Sequence, residues 1–256
     1  MSNITITGDW EMVKNTLPAL NAVAPATGVS EKYLFIPTTD ILGTLEEKGF
    51  VPVSASQVNS RDENKKLFAK HLVRLQHTSY TFGMDTTEVI PQIVMVNSHN
   101  RMSAFRLFAG IFRLACFNGM VVGENLVEPI SIRHMECNRE TIYASLEKIS
   151  GYFMLINGNI RAMRDRIMDE RETREFSAKA SLLRMEKPDT SDAVIGTRRF
   201  EDNRMDLWTI FSRIQENLIR GYHSPSRKRK VKMIKSIDKN VQINTRLWNM
   251  ATEYIR

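Results

Sequence analysis

The sequence predicts an α+β fold, with an antiparallel sheet of about five strands followed by long packed helices. Three observations carry this. Between residues 33 and 135 the apolar residues come in short runs or alternate with a period of two, as strands require. From Arg139 onward they recur at steps of three and four, as on one face of a helix. Asn118-Gly119 separates two apolar stretches, and because both residues accept positive φ, the pair is expected to form a hairpin turn.

The elements follow in order. Residues 1–30 hold Pro18, Pro25 and Gly28 and support only a short strand or helix and a loop. In YLFIPTTDIL the chain starts extended. Thr38, Thr39 and Asp40 then offer capping oxygens to a helix that runs through Leu45 and is closed by Gly49. FVPVSASQV reads as a strand and SRDENKK as a polar turn. In LFAKHLVRLQ helix and strand compete; the strand is favoured because Thr78, Ser79 and Tyr80 follow. On that reading Phe68, Lys70, Leu72, Arg74 and Gln76 share one face. EVIPQIVMV is a clearer strand, bounded by Asn-Ser-His-Asn. In AFRLFAGIFRL, Arg106, Phe108, Gly110 and Phe112 share one parity, and Gly110 marks a bulge or a close backbone approach. MVV and PISIRH supply the remaining strands.

Residues 1–138 thus form the sheet half. Residues 139–256 form the helical half with a basic C-terminal segment, the two packing as one domain. Ile142, Leu146, Ile149 and Phe153 open a helical pattern that continues to about Met185, with a break expected near Asn157-Gly158. Residues 186–203 carry loop chemistry. MDLWTIFSRIQENLIRG is a helix closed by Gly221, and NTRLWNMATEYIR a terminal one.

Composition bounds the function. No apolar run approaches the ~20 residues needed to cross a bilayer, and the first residues lack the basic and apolar regions of a secretory signal. Cys116 and Cys137 lack the paired spacing of a zinc site and are expected to be free thiols in a reducing compartment. The five histidines form no HExxH or comparable pair, and GxxxxGK[ST], GxGxxG and GxSxG are absent, so neither catalytic residues nor a cofactor or metal are expected.

Charge is more informative. Residues 1–220 hold 27 Lys and Arg against 27 Asp and Glu, so the net charge of +7 arises entirely after residue 220. There Arg227, Lys228, Arg229, Lys230, Lys232, Lys235 and Lys239 crowd together, with Lys228, Lys232, Lys235 and Lys239 spaced like a helical stripe able to meet successive phosphates. Tyr222 and Trp248 flank the cluster and are expected to stack on unpaired bases. Arg106 and Arg113 are candidates for a phosphate-binding sheet face, with a buried ion pair as an alternative of equal weight. The arginines from Arg161 to Arg174 are interleaved with acids, which reads as a helix laced with ion pairs.

The block from Val94 to Gly123, with SIRH, DLWTIFSRIQENLIRG and INTRLWNMA after it in order, resembles a phage- and plasmid-encoded family known as domain of unknown function number 932. Asn97, Ser98, His99, Arg113, Cys116, Asn118 and Gly119 are its matched polar or special positions. The resemblance implies expression in a host bacterial cytoplasm, in a context of recombination, replication and anti-restriction functions, and it supplies no catalytic residues. The order of sheet then helix is also similar to phage single-strand annealing proteins of the Rad-fifty-two-like kind, an analogy of fold alone. The expected function is therefore a non-enzymatic protein that binds nucleic acid, single-stranded DNA in particular, in recombination or replication, with self-assembly. The alternative is an interaction module that counters a host defence complex through the same cations.

Overall fold

A computed structural model describes residues 2–5, 15, 17–29, 33, 35–81, 83–84, 88–114, 118–122, 130–132, 138–225 and 229–255. Among the described residues the sheet has seven strands. β1 (Ser2–Thr5), β2 (Phe50–Gln57), β3 (His71–His77), β4 (Val89–Asn97), β5 (Phe105–Arg113) and β6 (Asn118–Val121) lie side by side in sequence order, every neighbour antiparallel. β7 (Ile130–Ile132) pairs with the first half of β5, beside the stretch that β6 leaves open.

Period two divides the sheet residues between two faces. One face carries Val73, Leu75, Ile93, Met95, Leu107, Ala109 and Ile111 into the main core. The helix α1 (Thr38–Glu46) contributes Ile41, Leu42 and Leu45 to that core. So does α3 (Arg139–Asp165), through Ile142, Leu146, Ile149, Phe153, Ile156, Ile160 and Met163, at alternating steps of four and three. The core thus draws on both halves of the chain. A short helix, α2 (Glu63–Lys66), sits in the expected polar turn. The opposite face presents Leu72, Val94, Val96, Phe108 and Val121, against which Ile237 and Val241 of the C-terminal helix pack.

The helix boundaries have local causes. Asn138 accepts from the Thr141 amide at 2.8 Å while the Thr141 hydroxyl oxygen accepts from the Asn138 amide at 2.9 Å, so α3 opens on a reciprocal cap. α3 runs through Asn157-Gly158 without the expected break, because Asn157 donates its amide outward to the Gly83 carbonyl at 3.0 Å and leaves the helical ladder intact. The break falls at residues 166–169 instead, where Asp169 caps α4 (Glu170–Ser181) by accepting from the Glu172 amide at 2.8 Å. α5 (Leu207–Arg220) is capped by Asp206 and ends at Gly221. α6 (Ile237–Glu253) starts from Ser236, whose hydroxyl accepts from the Lys239 amide.

Two glycines shape the free face of the sheet. A Cβ on Gly110 would lie 2.7 Å from a Val94 methyl and 2.9 Å from the Met120 carbonyl oxygen, which fits the close approach expected there. A Cβ on Gly119 would lie 2.7 Å from Nε and Nη1 of Arg74, the guanidinium that donates to the Met120 carbonyl at 3.3 Å. Arg74 belongs to β3 and Met120 to β6, so the side chain reaches over two intervening strands, and only a sheet curled toward this face permits that. Asn118 and Gly119 do not form the hairpin turn. They pair with Arg113 and Phe112 inside β6, and the connection, residues 115–117 with Cys116, lies outside the described residues, as does Cys137.

Candidate nucleic-acid interface

α6 lays Ile237 and Val241, one turn apart, against the curled face of the sheet. The neighbouring positions on the helix then look along the sheet rather than into it. Between α6 and β5 this leaves an open groove of about 660 Å³, lined by Arg106 and Phe108 from β5 and by Asp238, Lys239, Gln242 and Arg246 from the helix. Arg106 lies over the Phe108 ring, 5.6 Å from its centroid, and donates to Asp238 at 3.1 Å. Lys70, just before β3, donates to the other oxygen of the same carboxylate at 2.6 Å. Partial burial pushes the Asp238 carboxyl up, but Lys70 and Arg106 outweigh it and hold it below the usual carboxylate range. Lys239 and Arg246 are exposed, and neither has an ion-pair partner among the described residues.

The cluster predicted from sequence is arranged differently from the expected stripe. β8 (Tyr222–Ser224) pairs with β9 (Arg229–Val231), so this part of the cluster is a hairpin in which His223 and Lys230 are exposed while Tyr222 and Val231 turn inward. Lys232 and Lys235 follow on an exposed stretch, and the helix starts only after Ser236 captures its first turn. Arg227 and Lys228 lie outside the described residues, as does the side chain of Arg229. Tyr222 and Trp248 are not stacking platforms. The Tyr222 ring is buried and its hydroxyl donates to Asp189 at 3.0 Å. Trp248 is 1% exposed and packs edge-on against Phe211 in the core. Their aromatic area drives burial more strongly than their sequence position favours exposure.

Arg113 is a structural residue. It is 4% exposed and donates to Asp202 at 2.6 Å and to Glu88 at 3.1 Å. Glu88 also receives Arg164 and the Trp208 indole, and Asp202 also receives Arg199 at 2.7 Å. The network ties β5 to α3 and α5. Burial pushes the Glu88 and Asp202 carboxyls up, but their donors outweigh it and hold both below the ordinary range. The interleaved arginines of α4 are paired as the sequence suggests, Arg171 with Glu175 at 2.9 Å and Arg174 with Glu170 at 2.7 Å, whereas Arg164 of α3 pairs with the distant Glu88.

Four candidate-site residues escaped notice in the sequence: Lys70, Asp238, Gln242 and Arg246. A signal existed for two of them. Lys70 shares its parity with Leu72 and Arg74, and Arg246 lies two helical turns after Lys239. Arg74 is on the same face and faces no carboxylate among the described residues; burial pulls its guanidinium down to about 10.

On the other side of β3 sits a sealed polar cluster of Thr38, His71, Asn97 and His99, all fully buried. Its protons can be placed by elimination. Nδ1 of His71 lies 3.0 Å from the Ala69 carbonyl, which only accepts, so Nδ1 carries the proton. Nε2 therefore accepts from the Thr38 hydroxyl at 2.9 Å. The Thr38 oxygen in turn accepts from the Asn97 amide at 3.2 Å and from Nε2 of His99 at 3.1 Å. Burial pulls the His71 ring down to about 4, which keeps it neutral. The cluster fastens the ends of β3 and β4 to the start of α1.

Residues 26–248 match the profile of a family described as a domain of unknown function (DUF932). The chain belongs to this family. Two similar relatives are the UPF0380 proteins YfjQ and YafZ of Escherichia coli (strain K12). YfjQ is 31% identical over 230 residues and YafZ 30% identical over 229, each alignment covering 87% of this chain and 82% of the relative. No solved structure matches significantly. The family match spans β2 to β7, the groove and most of α6, so the site described here lies within the shared region. Among the described residues, no helix is long and apolar enough to cross a membrane, and no three His, Cys, Asp or Glu side chains are placed to hold a metal.

Proposed function

We propose that the protein binds single-stranded nucleic acid through its sugar-phosphate backbone in the groove between β5 and α6, as a non-enzymatic factor in recombination or replication of phage or mobile DNA. One observation carries this reading: Lys239 and Arg246 stand exposed on the groove without carboxylate partners among the described residues. Unneutralised cations along one edge attract a polyanion and gain free energy by releasing its counterions. Seven residues of helix place Lys239 and Arg246 about 10 Å apart along the axis, a span that takes in about two neighbouring phosphates of one strand. Contacts of this kind read the backbone and little of the base sequence.

The test is a salt titration of binding to a fluorescent thymidine oligonucleotide. Replacing Lys239 and Arg246 by alanine is expected to weaken binding about tenfold at every base composition and to flatten the log–log salt slope by about 1.4. Unchanged affinity and slope in a variant with native circular dichroism would remove the groove as the site. Protein captured stoichiometrically from nuclease-treated host lysate, with no oligonucleotide binding, would assign the cations to an acidic protein partner instead.

A further inference from the structure

We propose that Lys70 and Arg106 form a phosphate subsite of this groove, which the Asp238 carboxylate fills in the unliganded chain, so that a phosphodiester binds there by displacing it. The inference rests on the groove being the nucleic-acid site and adds the group that controls access to it.

The geometry assigns different roles to the three side chains. Lys70 and Arg106 are set into the sheet, their side chains 12% and 29% exposed, whereas the Asp238 side chain is 55% exposed. The cations are thus the wall, and the anion is the outward and exchangeable member. Asp238 meets them at 2.6 and 3.1 Å, distances at which a phosphate oxygen would serve as well. The carboxylate leaves donors over. Nε of Arg106 is buried and has no hydrogen-bond partner among the described residues. A phosphodiester carries the same single charge as the carboxylate but offers more acceptor lone pairs to these donors. Asp238 lies in the first turn of α6, where the helix dipole favours any anion, so the position suits the incoming phosphate as it suits the residue it replaces.

The alternative is that Asp238 only fastens α6 to the sheet. Two measurements on the full chain separate the two roles: oligonucleotide affinity, and the rise in thermal midpoint produced by inorganic phosphate. Asp238→Asn is expected to bind the thymidine oligonucleotide about tenfold more tightly than the parent and to steepen its salt dependence, because two more cations release counterions. It should also be stabilised by inorganic phosphate more strongly than the parent. Asp238→Ser, with a side chain suited to a helix start, must behave alike, and adding Lys70→Gln to either variant must abolish both gains. If phosphate stabilises the variants through Lys70 while none of the proteins binds oligonucleotide, the subsite stands and the nucleic-acid reading falls. If the folded variants bind both probes no better than the parent, or keep their gain without Lys70, the proposal is overturned.

Discussion

The buried His71 ring makes the stability of the fold depend on pH in a definite window. In the fold it is neutral with a pKa of about 4, whereas the exposed ring of the unfolded chain titrates near 6.5. Between these values the unfolded chain binds the extra proton, so stability rises with pH. The contribution is complete above about 6.5 and is lost as pH falls through 4. A displacement of roughly two and a half units corresponds to about 3 kcal/mol in all, of which about 2 kcal/mol is gone by about pH 5. The assay compares urea unfolding of the parent and of His71→Gln across this range. The glutamine carbonyl can still accept from Thr38 but cannot titrate. The variant should be less stable near neutrality by roughly 1–3 kcal/mol, and the gap should narrow by about 2 kcal/mol toward pH 5. Glu88, Asp202 and Asp238, whose carboxyls are held low, act at lower pH and are common to both proteins. His99 meets the same hydroxyl and is tested separately by its own glutamine variant. A gap that stays constant with pH would refute the proton assignment in the cluster.

Two other perturbations test the scaffold around the groove. Gly119→Ala places a methyl group on the Arg74 guanidinium and should lower stability by about 1–3 kcal/mol in a denaturant titration, with the loss largely relieved when Arg74 is shortened to alanine in the same chain. Asp202→Ala strips two arginines of a buried partner and should cost about 3–5 kcal/mol, while oligonucleotide affinity of the folded fraction stays unchanged; a matching loss of affinity would return Arg113 to the binding surface.

Much of the architecture was legible one element at a time. Period two separated Lys70, Leu72 and Arg74 from Leu75 and Val73, and steps of three and four marked the buried face of α3, because such patterns record which side of an element meets the core. Capping was harder to read. Asn157-Gly158 resembles a helix stop, yet the outward hydrogen bond of Asn157 to Gly83 depends on a loop 74 residues away. Asn118-Gly119 resembles a turn, yet the tight passage of Arg74 requires glycine inside a strand.

The sequence alone settled the α+β class and showed that all the excess positive charge lies beyond residue 220, since both follow from residue order and local periodicity. Which cations share a surface was decided only by tertiary structure. Sequence neighbours such as Tyr222 and Trp248 were drawn into the core by their aromatic area, and Arg113 was drawn into an ion network with Glu88 and Asp202. Arg106, Lys70 and Arg246, from distant segments, were brought to one groove by the docking of α6 on the curled sheet. Charge acts through space and along no particular direction of the chain, so the candidate site is set by packing more than by adjacency.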